Sequence, residues 1–377
     1  MLTRRAFMRS SLLSIVLLII YIVYFYVKFP IKKYIFISQS NYKTHCNEII
    51  QGRVLKDTLM NDVNILGFAD DHMTPYYIKE TKEELDNPIA FAIMVYTDIE
   101  LFKQMLRLIY RSHNYYCIHV DRKSPYSFRR SIEVYTNEYE NIQMIPFNES
   151  IKVFWQGNSV LYCQLKCAKA ALKSKIKWKH WINLTGQEFP LKTNLEIVWI
   201  LKSLHKQSLV EATRKYFPER IPVTKLPFNV TWYKGSTYVV LQRNFVDFMV
   251  NNEKAKILLN SYHNHSFPEE QFYQTLFYNP SLGAPGSCPL ADHMEDMTNF
   301  LRFVIWNLYE RCTNRVNHDI CILGYDHVKP LTMSPALFAN KFHQDYQPLA
   351  FKCLIDWYLD RTLEPRNFKS LFQNLTC

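Results

Sequence analysis

The stretch Ile89-Ala-Phe-Ala-Ile-Met-Val-Tyr96 is a continuous apolar run, as expected of a β-strand that is buried on both faces. The residues from Glu100 to Ser112 have helical spacing, and Tyr115-Tyr-Cys-Ile-His-Val120 is a second apolar run. A strand, a helix and a strand within about thirty residues predict a βαβ unit, which belongs to a parallel sheet. Ligands of such sheets bind at the carboxyl ends of the strands, and Asp121 stands at such an end.

Strands and helices continue to alternate along the chain, which predicts an α/β domain that starts near Pro88. Gly186-Gln-Glu-Phe-Pro190 is typical of a turn, and Thr193 or Asn194 suits the N-cap of the helix that follows. The pattern predicts strands at 180–184 and 236–241, and helices at 160–173, 193–203, 268–278 and 296–311.

The composition is that of a folded, basic protein. Of the 377 residues, 48% are hydrophobic and 15% are aromatic, so the chain can bury a substantial core. The formal net charge of +11 suits an acidic partner, which includes nucleic acid, membrane headgroups and phosphate-bearing substrates. The alternative is that the lysines and arginines only decorate a solvated surface.

The N-terminal residues contain an uncharged run of membrane-spanning length. Eighteen uncharged residues separate Arg9 from Lys28, which is enough to cross a bilayer. A cleaved signal peptide is the alternative, but the run lacks a small-residue cleavage site, which favours an uncleaved signal-anchor. This interpretation divides the chain into a cytosolic tail at 1–9, a transmembrane signal-anchor at 10–28, a stem at 29–87 and a luminal domain at 88–377.

Cysteines and glycosylation sequons indicate that the large C-terminal part lies in the secretory lumen. All nine cysteines lie beyond residue 45, and no spacing among them suggests zinc. Asn-x-Ser/Thr sequons begin at Asn148, Asn183, Asn229, Asn264 and Asn374. Asn183 falls in a strand that is predicted to be buried, so we expect modification only at the other four. A luminal position argues against nucleic acid as the acidic partner.

Six motifs occur in the order and spacing of one known family. They are Pro88-Ile-Ala-Phe-Ala-Ile93, Tyr116-Cys-Ile-His-Val-Asp-Arg-Lys-Ser124, 178–194, Gly235-Ser236, Pro268-Glu-Glu270 and Leu337-Phe-Ala-Asn-Lys-Phe342. Together they resemble the core-2/I-branching β1,6-N-acetylglucosaminyltransferases. The resemblance implies a GT-A-like fold with a central, mostly parallel sheet, and transfer from a UDP-sugar with inversion and without a metal or other cofactor. It also implies a Golgi type II membrane protein.

Inverting transfer needs a base that takes the proton of the acceptor hydroxyl. Glu270 matches the catalytic base of the family motif, in which Asp-Glu stands where this chain has Glu-Glu. The resemblance assigns Glu269, in place of the family aspartate, to the acceptor side. The alternative for both acids is that they only complement the dipole of the helix that begins near Pro268.

The charge that develops on the leaving diphosphate must also be neutralised. No Asp-x-Asp motif that would hold a metal follows the strand ending at Asp121. Lys341 matches the phosphate-binding lysine of the family, although an exposed, solvated lysine is the alternative. The family has an arginine where this chain has His318, and Arg315 lies three residues earlier as a substitute.

The remaining assignments concern the two substrates. The resemblance places Asp121 at the uridine, Trp155 near the uracil and Trp306 at the acceptor sugar, where an aromatic face suits a pyranose ring. Packing in the core is the alternative for both tryptophans. The family's other acceptor contacts fall at about 205–230, which we cannot match.

Family spacing also implies three disulfides, namely Cys46–Cys353, Cys117–Cys167 and Cys312–Cys321. Cys163, Cys288 and Cys377 are left over, and an odd remainder allows a free thiol or a disulfide-linked dimer.

The leading hypothesis is therefore transfer of N-acetylglucosamine from UDP-N-acetylglucosamine to a 6-hydroxyl of an O-glycan, glycoprotein or lactosamine acceptor at the Golgi membrane. One alternative keeps the mechanism but uses another UDP-sugar. The other is a non-catalytic luminal protein that binds carbohydrate or a partner, which the replacement of the family arginine by His318 favours.

Overall fold

The computed structural model describes residues 39–53, 73–204, 207–213, 221–222, 225–263, 265–291, 300–308 and 310–368. The predicted cytosolic tail, the predicted signal-anchor and part of the predicted stem lie outside these residues, as do Asn264, Asn374 and Cys377. Among the helices within the described ranges, none is both long enough and apolar enough to cross a membrane. The signal-anchor therefore stays a prediction.

Helices and strands alternate through most of the described residues. The helices are α1 (Gln39–Ile50), α2 (Lys82–Asp86), α3 (Ile99–Ile109), α4 (Tyr126–Thr136), α5 (Ser159–Lys173), α6 (Asn194–Ser203), α7 (Arg243–Asn251), α8 (Glu253–Ser261), α9 (Phe272–Phe277), α10 (Tyr325–Met333) and α11 (Pro348–Leu363). The strands are β1 (Ile89–Val95), β2 (Tyr115–Val120), β3 (Ile142–Met144), β4 (His180–Thr185), β5 (Glu188–Pro190), β6 (Leu209–Thr213), β7 (Lys234–Gln242), β8 (Arg302–Phe303), β9 (Val316–Asn317), β10 (Ile320–Cys321) and β11 (Phe338–Asn340). Two short 3₁₀ helices span Pro268–Glu270 and Pro280–Leu282.

The central sheet has six strands in the order β3-β2-β1-β4-β7-β6. The pairs β3–β2, β2–β1 and β1–β4 are parallel, whereas β7 is antiparallel to both β4 and β6. The predicted α/β class with a central, mostly parallel sheet is confirmed. The arrangement fits a GT-A-like fold.

Apolar side chains cover both faces of β1, because successive residues of a strand point to opposite faces. Ala90 and Ala92 belong to the core layer that contains side chains of α5 and α7. Phe91 and Ile93 belong to the opposite layer, with side chains of α3 and α6. Burial on both faces explains why this strand has no polar alternation in the sequence.

Three predicted elements need correction. Glu188–Pro190 is a strand rather than a turn, because it pairs with β11 in a second sheet of order β5-β11-β8. The helix predicted at 296–311 is wrong over 300–308, where β8 pairs with β11 and Trp306 bridges Ile320. Pairing between distant segments overrides the local helical spacing there. The helix predicted at 268–278 is interrupted at Gln271, which separates a 3₁₀ turn from α9.

The predicted N-cap of α6 is confirmed at Thr193. Its hydroxyl accepts a hydrogen bond from the Glu196 amide at 3.3 Å, and the Glu196 carboxylate accepts one from the Thr193 amide at 2.9 Å. This reciprocal capping box satisfies two amides that the first turn of the helix leaves without partners.

The three implied disulfides are present: Cys46–Cys353, Cys117–Cys167 and Cys312–Cys321. The first joins α1, within the predicted stem, to α11 near the end of the domain. Of the leftover cysteines, Cys288 is disulfide-bonded and Cys163 is a buried free thiol. The disulfide-linked dimer stays a prediction.

Two of the sequon asparagines that the structure describes, Asn148 and Asn229, have exposed side chains. Asn183 is only 2% exposed, and its side chain bonds the backbone of β7 at Thr237 and Val239. The burial that we predicted for Asn183 is confirmed, because this asparagine belongs to a central strand.

Candidate active site

Asp121 lies at the carboxyl end of β2, as predicted. Its carboxylate accepts hydrogen bonds from the backbone amides of Lys123 at 2.8 Å and Val153 at 3.3 Å. The Lys123 ammonium lies 3.6 Å from the same carboxylate. Asp121 thereby fixes two loops against each other, and only 8% of it is exposed.

Glu270 lies in the 3₁₀ turn that follows Phe267. A left-handed backbone at Phe267, with φ of 54°, turns the chain into Pro268, and proline favours the first position of a helix. The Lys234 ammonium at the start of β7 lies 3.3 Å from the Glu270 carboxylate. A half-buried carboxylate beside an ammonium is suited to accept a proton from a neutral hydroxyl.

Glu269, the neighbouring acid, is only 5% exposed. Its negative charge adds to the effect of burial in raising the pKa values of Cys163 on α5 and Tyr273 on α9. The side chain therefore lies near the interior between these two helices. Its assignment to the acceptor stays a prediction.

Lys341 directly follows β11, and its ammonium donates a hydrogen bond to the Asn317 side chain at 3.3 Å. Burial lowers the pKa of Lys341, and the negative charge of Asp98 acts in the opposite direction. The Lys341 carbonyl accepts a hydrogen bond from the Leu323 amide at 2.8 Å. The lysine is therefore held at a defined place beside the hairpin that β9 and β10 form.

Asp98 is a site residue that the sequence reasoning missed. It stands before α3, but its side chain makes no capping bond there. Its carboxylate instead accepts hydrogen bonds from the Gln187 side chain and from the Gln344 amide at 3.1 Å. Asp98 follows β1 much as Asp121 follows β2, and that position after a buried strand was the available signal.

Arg315 does not stand free beside Lys341. Its guanidinium pairs with both carboxylate oxygens of Asp345, at 3.1 and 2.5 Å. This pair lowers the pKa of Asp345 and raises the pKa of Arg315. If Arg315 is to replace the family arginine, it must exchange this carboxylate for the diphosphate.

His318 and Trp155 lie against each other. Their rings stack with centroids 5.0 Å apart and planes 18° apart. Trp155 also meets the Phe267 ring edge to face at 5.6 Å, and 55% of Trp155 is exposed. The core-packing alternative for Trp155 is therefore wrong, because core side chains are almost fully covered.

These contacts join the base and the lysine on one side of the molecule. Lys341 bonds Asn317, which precedes His318, and His318 stacks on Trp155. Trp155 in turn contacts Phe267, which stands three residues before Glu270. The candidate base and the candidate phosphate ligand are thus linked by one hydrogen bond, two ring contacts and the short backbone segments 317–318 and 267–270.

Trp306 lies beside the same hairpin. Its backbone bridges Ile320, and 38% of the residue is exposed. A partly exposed ring beside the hairpin that carries His318 is able to stack on a sugar, and the contact of Trp306 with the acceptor stays a prediction.

Glu211 on β6 is a second acid that the sequence reasoning missed. Burial raises its pKa to about 7, although its carboxylate accepts a hydrogen bond from the Leu301 amide at 3.1 Å. Burial raises the pKa of Tyr238 on β7, and the negative charges of Glu188, Glu270 and Glu211 add to this effect, so Glu211 and Glu270 both lie near Tyr238. Glu211 falls in the stretch that we could not match, between the buried residues Val210 and Ala212 of β6.

The described residues contain no group of three or more histidine, cysteine, aspartate or glutamate side chains that could hold a metal ion. The positive groups near the candidate site are the side chains of Lys341, Arg315, Lys123 and Lys234. Whether the reaction needs a metal is a matter for experiment.

An α/β sheet with Asp121 at the carboxyl end of a parallel strand suits a ligand bound at that edge, as the glycosyltransferase prediction requires. Comparison with known proteins identifies the family. Residues 89–332 match the family model of the core-2/I-branching enzyme. The chain belongs to the core-2/I-branching glycosyltransferase family.

The chain is similar to several members of this family over most of its length. A human N-acetyllactosaminide β-1,6-N-acetylglucosaminyl-transferase is 32% identical over 353 residues, which cover 84% of this chain and 85% of the relative. The mouse protein of the same name is 34% identical over 309 residues, which cover 75% of each chain. A human probable β-1,3-galactosyl-O-glycosyl-glycoprotein β-1,6-N-acetylglucosaminyltransferase 7 is 33% identical, covering 72% of this chain and 68% of the relative.

Proposed function

We propose that this enzyme transfers N-acetylglucosamine from UDP-N-acetylglucosamine to a 6-hydroxyl of an O-glycan or lactosamine acceptor, forming a β1,6 branch. The names of its relatives, which are β-1,6-N-acetylglucosaminyltransferases, support the transferred sugar and the linkage. The observation that carries the mechanism is the contact chain from Glu270 through Trp155 to Lys341.

In the proposed reaction, the Glu270 carboxylate takes the proton of the acceptor hydroxyl. The hydroxyl oxygen attacks the anomeric carbon of the donor from the face opposite UDP, and the configuration inverts. The bond between the anomeric carbon and the diphosphate oxygen breaks, and UDP leaves with the electron pair. Lys234, whose ammonium lies 3.3 Å from the Glu270 carboxylate, orients that carboxylate before the transfer.

Lys341 faces the leaving group in this proposal. A fixed ammonium stabilises the charge that develops on the diphosphate, which is the role that a divalent metal has in many enzymes of this architecture. His318 lies beside it through the Asn317 link, and Arg315 joins only if it releases Asp345. We propose that the reaction needs no metal.

The test is product analysis of the purified domain with and without EDTA, using a panel of UDP-sugars and two acceptors, Galβ1-3GalNAc and N-acetyllactosamine. We expect a β1,6-linked N-acetylglucosamine product at an unchanged rate in EDTA. Transfer of glucose or xylose instead would support the alternative donor. Loss of activity in EDTA that Mn²⁺ restores would contradict the role of Lys341.

A wild-type domain that transfers no sugar from any donor, yet binds glycan, would favour the non-catalytic alternative. The observation behind that alternative is that His318 replaces the family arginine while Asp345 neutralises Arg315.

We propose a Golgi, type II membrane location, because residues 10–27 form an uncharged run and the described domain contains disulfides. Protease protection of intact microsomes tests the orientation. Digestion of the main domain without detergent would contradict the luminal placement.

A further inference from the structure

Three aromatic rings from distant parts of the chain meet at the candidate site. Trp155 precedes α5, Phe267 precedes the 3₁₀ turn, and His318 lies in the turn between β9 and β10. The Trp155 ring contacts Phe267 at 5.6 Å and His318 at 5.0 Å, so Trp155 is the middle member. We call this set of three the ring bridge.

Each ring lies at or beside a backbone position in the left-handed region. The values of φ are 70° at Gln156, 54° at Phe267 and 50° at His318. The loop that carries Trp155 also shares a backbone hydrogen bond with the loop that carries Phe267, from the Phe267 amide to the Gln156 carbonyl at 2.9 Å. Residues other than glycine adopt this region only where the surroundings enforce it, and such positions cluster at functional sites.

Each ring also lies within a few residues, along the chain, of a residue that contacts or carries a group with a proposed chemical role. Trp155 lies two residues after Val153, whose amide bonds the Asp121 carboxylate at 3.3 Å. His318 directly follows Asn317, which accepts the hydrogen bond of Lys341. Phe267 leads into the 3₁₀ turn that carries the base. The ring bridge thus touches the nucleotide, phosphate and base elements together.

Core packing does not account for this arrangement. Trp155 is 55% exposed, whereas Trp181 on β4 is fully buried. A half-exposed tryptophan contributes little hydrophobic stabilisation from its solvated face. Its contacts with two loops therefore act mainly on their relative position.

We propose that the ring bridge couples the nucleotide pocket to the base, with Trp155 as the positioning residue. A nucleotide bound beside Trp155 fixes its ring, and the ring fixes Phe267 and the turn that places Glu270 for the acceptor. The inference rests on the proposed function, since it assumes a UDP-sugar donor. Coupling of this kind is reciprocal, so acceptor and UDP must raise each other's affinity by the same factor.

Titration calorimetry of UDP, with and without saturating acceptor, measures this factor directly, because UDP and acceptor cannot react. The acceptor used is the one that the transfer assay identifies. We expect the acceptor to tighten UDP binding by about fivefold or more in the wild type. Trp155→Ala should reduce the factor to near one, and Trp155→Phe, which keeps a ring, should restore most of it.

Phe267→Ala separates coupling from direct nucleotide contact. In Phe267→Ala we expect the acceptor no longer to tighten the binding of UDP. The affinity for UDP without acceptor should change by less than about twofold, because Phe267 lies on the base side. Phe147→Ala is the matched control. Phe147 is exposed at 52%, packs under Arg122 and Arg129, and is not a member of the ring bridge. In Phe147→Ala the acceptor should tighten UDP binding by the same factor as in the wild type.

Two outcomes overturn the inference while the proposed function stands. One is a wild type that transfers sugar although the acceptor does not change its affinity for UDP. The other is an acceptor that still tightens UDP binding in both Trp155→Ala and Phe267→Ala. A wild type that transfers no sugar from any UDP-sugar overturns the proposed function and the inference with it.

Discussion

The two sides of the candidate site are built in different ways. On the nucleotide side, Asp121 follows a fully buried parallel strand and is held by amides of the loops next to it. On the base side, Glu270, Lys234 and Glu211 come from a 3₁₀ turn and two antiparallel strands. A strand end and two loops determine the first side, whereas packing between a 3₁₀ turn and two strands determines the second. Substitutions on the base side should therefore change the reaction rate and the free energy of unfolding more than substitutions on the nucleotide side.

The largest effect is expected at Glu270. Glu270→Gln keeps the shape of the side chain but removes its ability to accept the proton, so kcat should fall by roughly 10³-fold, or about 4 kcal/mol. Steady-state transfer assays measure this. Glu253→Gln, an exposed acid on α8, is the matched control and should leave kcat unchanged. An unaltered rate in Glu270→Gln would remove the base from the proposal.

The next effect concerns stability and compares glycines on the two sides. A Cβ at Gly235 would lie 1.9 Å from the Glu211 carbonyl oxygen and 2.9 Å from the Gln274 side chain. Gly235→Ala should therefore lower the free energy of unfolding by about 3 kcal/mol, because the strands must separate. Urea denaturation measures this loss.

Gly157→Ala serves as the control on the nucleotide side. Its Cβ would approach no atom closer than 3.4 Å, so the change should be within about 0.5 kcal/mol. An equal loss of unfolding free energy in Gly235→Ala and Gly157→Ala would contradict the view that the base side depends more on close packing than the nucleotide side.

A smaller effect is expected at Asp121. Asp121→Asn keeps an oxygen that accepts from Lys123 and Val153 but removes the negative charge. We expect KM for the donor to rise about tenfold with little change in kcat, because the predicted role of Asp121 is to bind the nucleotide and not the reacting atoms. Asp86→Asn, which is exposed, is the control. A fall in kcat as large as that of Glu270→Gln would give Asp121 a different role.

The last prediction is a pH dependence of stability from Glu211. Burial raises its pKa to about 7 from the ordinary 4.5, so the folded protein prefers the protonated acid. The contribution is fully present below the unfolded value of 4.5 and is lost as the pH rises through 7.

In Glu211→Gln this pH-dependent loss of stability should be absent, so the curves of unfolding free energy against pH for variant and wild type should diverge by up to about 3 kcal/mol between the two ends of that window. Denaturant melts at several pH values measure it. Parallel curves for variant and wild type would show that Glu211 does not titrate there.

The nucleotide side could be predicted from the sequence because its signals are local. The apolar runs of β1 and β2 are continuous, and Asp121 ends the second run. The disulfides followed from family spacing, and all three are present. Each of these features depends on residues that lie close together in the chain or on a recognised motif.

The base side could not be predicted in the same detail. Lys234 meets Glu270 only because β7 pairs into the sheet beside the 3₁₀ turn, and no periodicity encodes that approach. Residues 300–308 have helical spacing but form β8 and the Trp306 bridge, because β11 offers them a pairing edge. Asp98 was missed for another reason, since it resembles an ordinary helix cap.

The disulfide between Cys46 and Cys353 also determines how the chain comes apart after a cut. A single protease nick between Cys46 and Ile89 would leave the N-terminal piece covalently attached to α11. On a denaturing gel such a nicked molecule would migrate as one species without reductant and as two with it. Release of the enzyme from its N-terminal segment therefore requires a cut before Cys46, or reduction as well as cleavage.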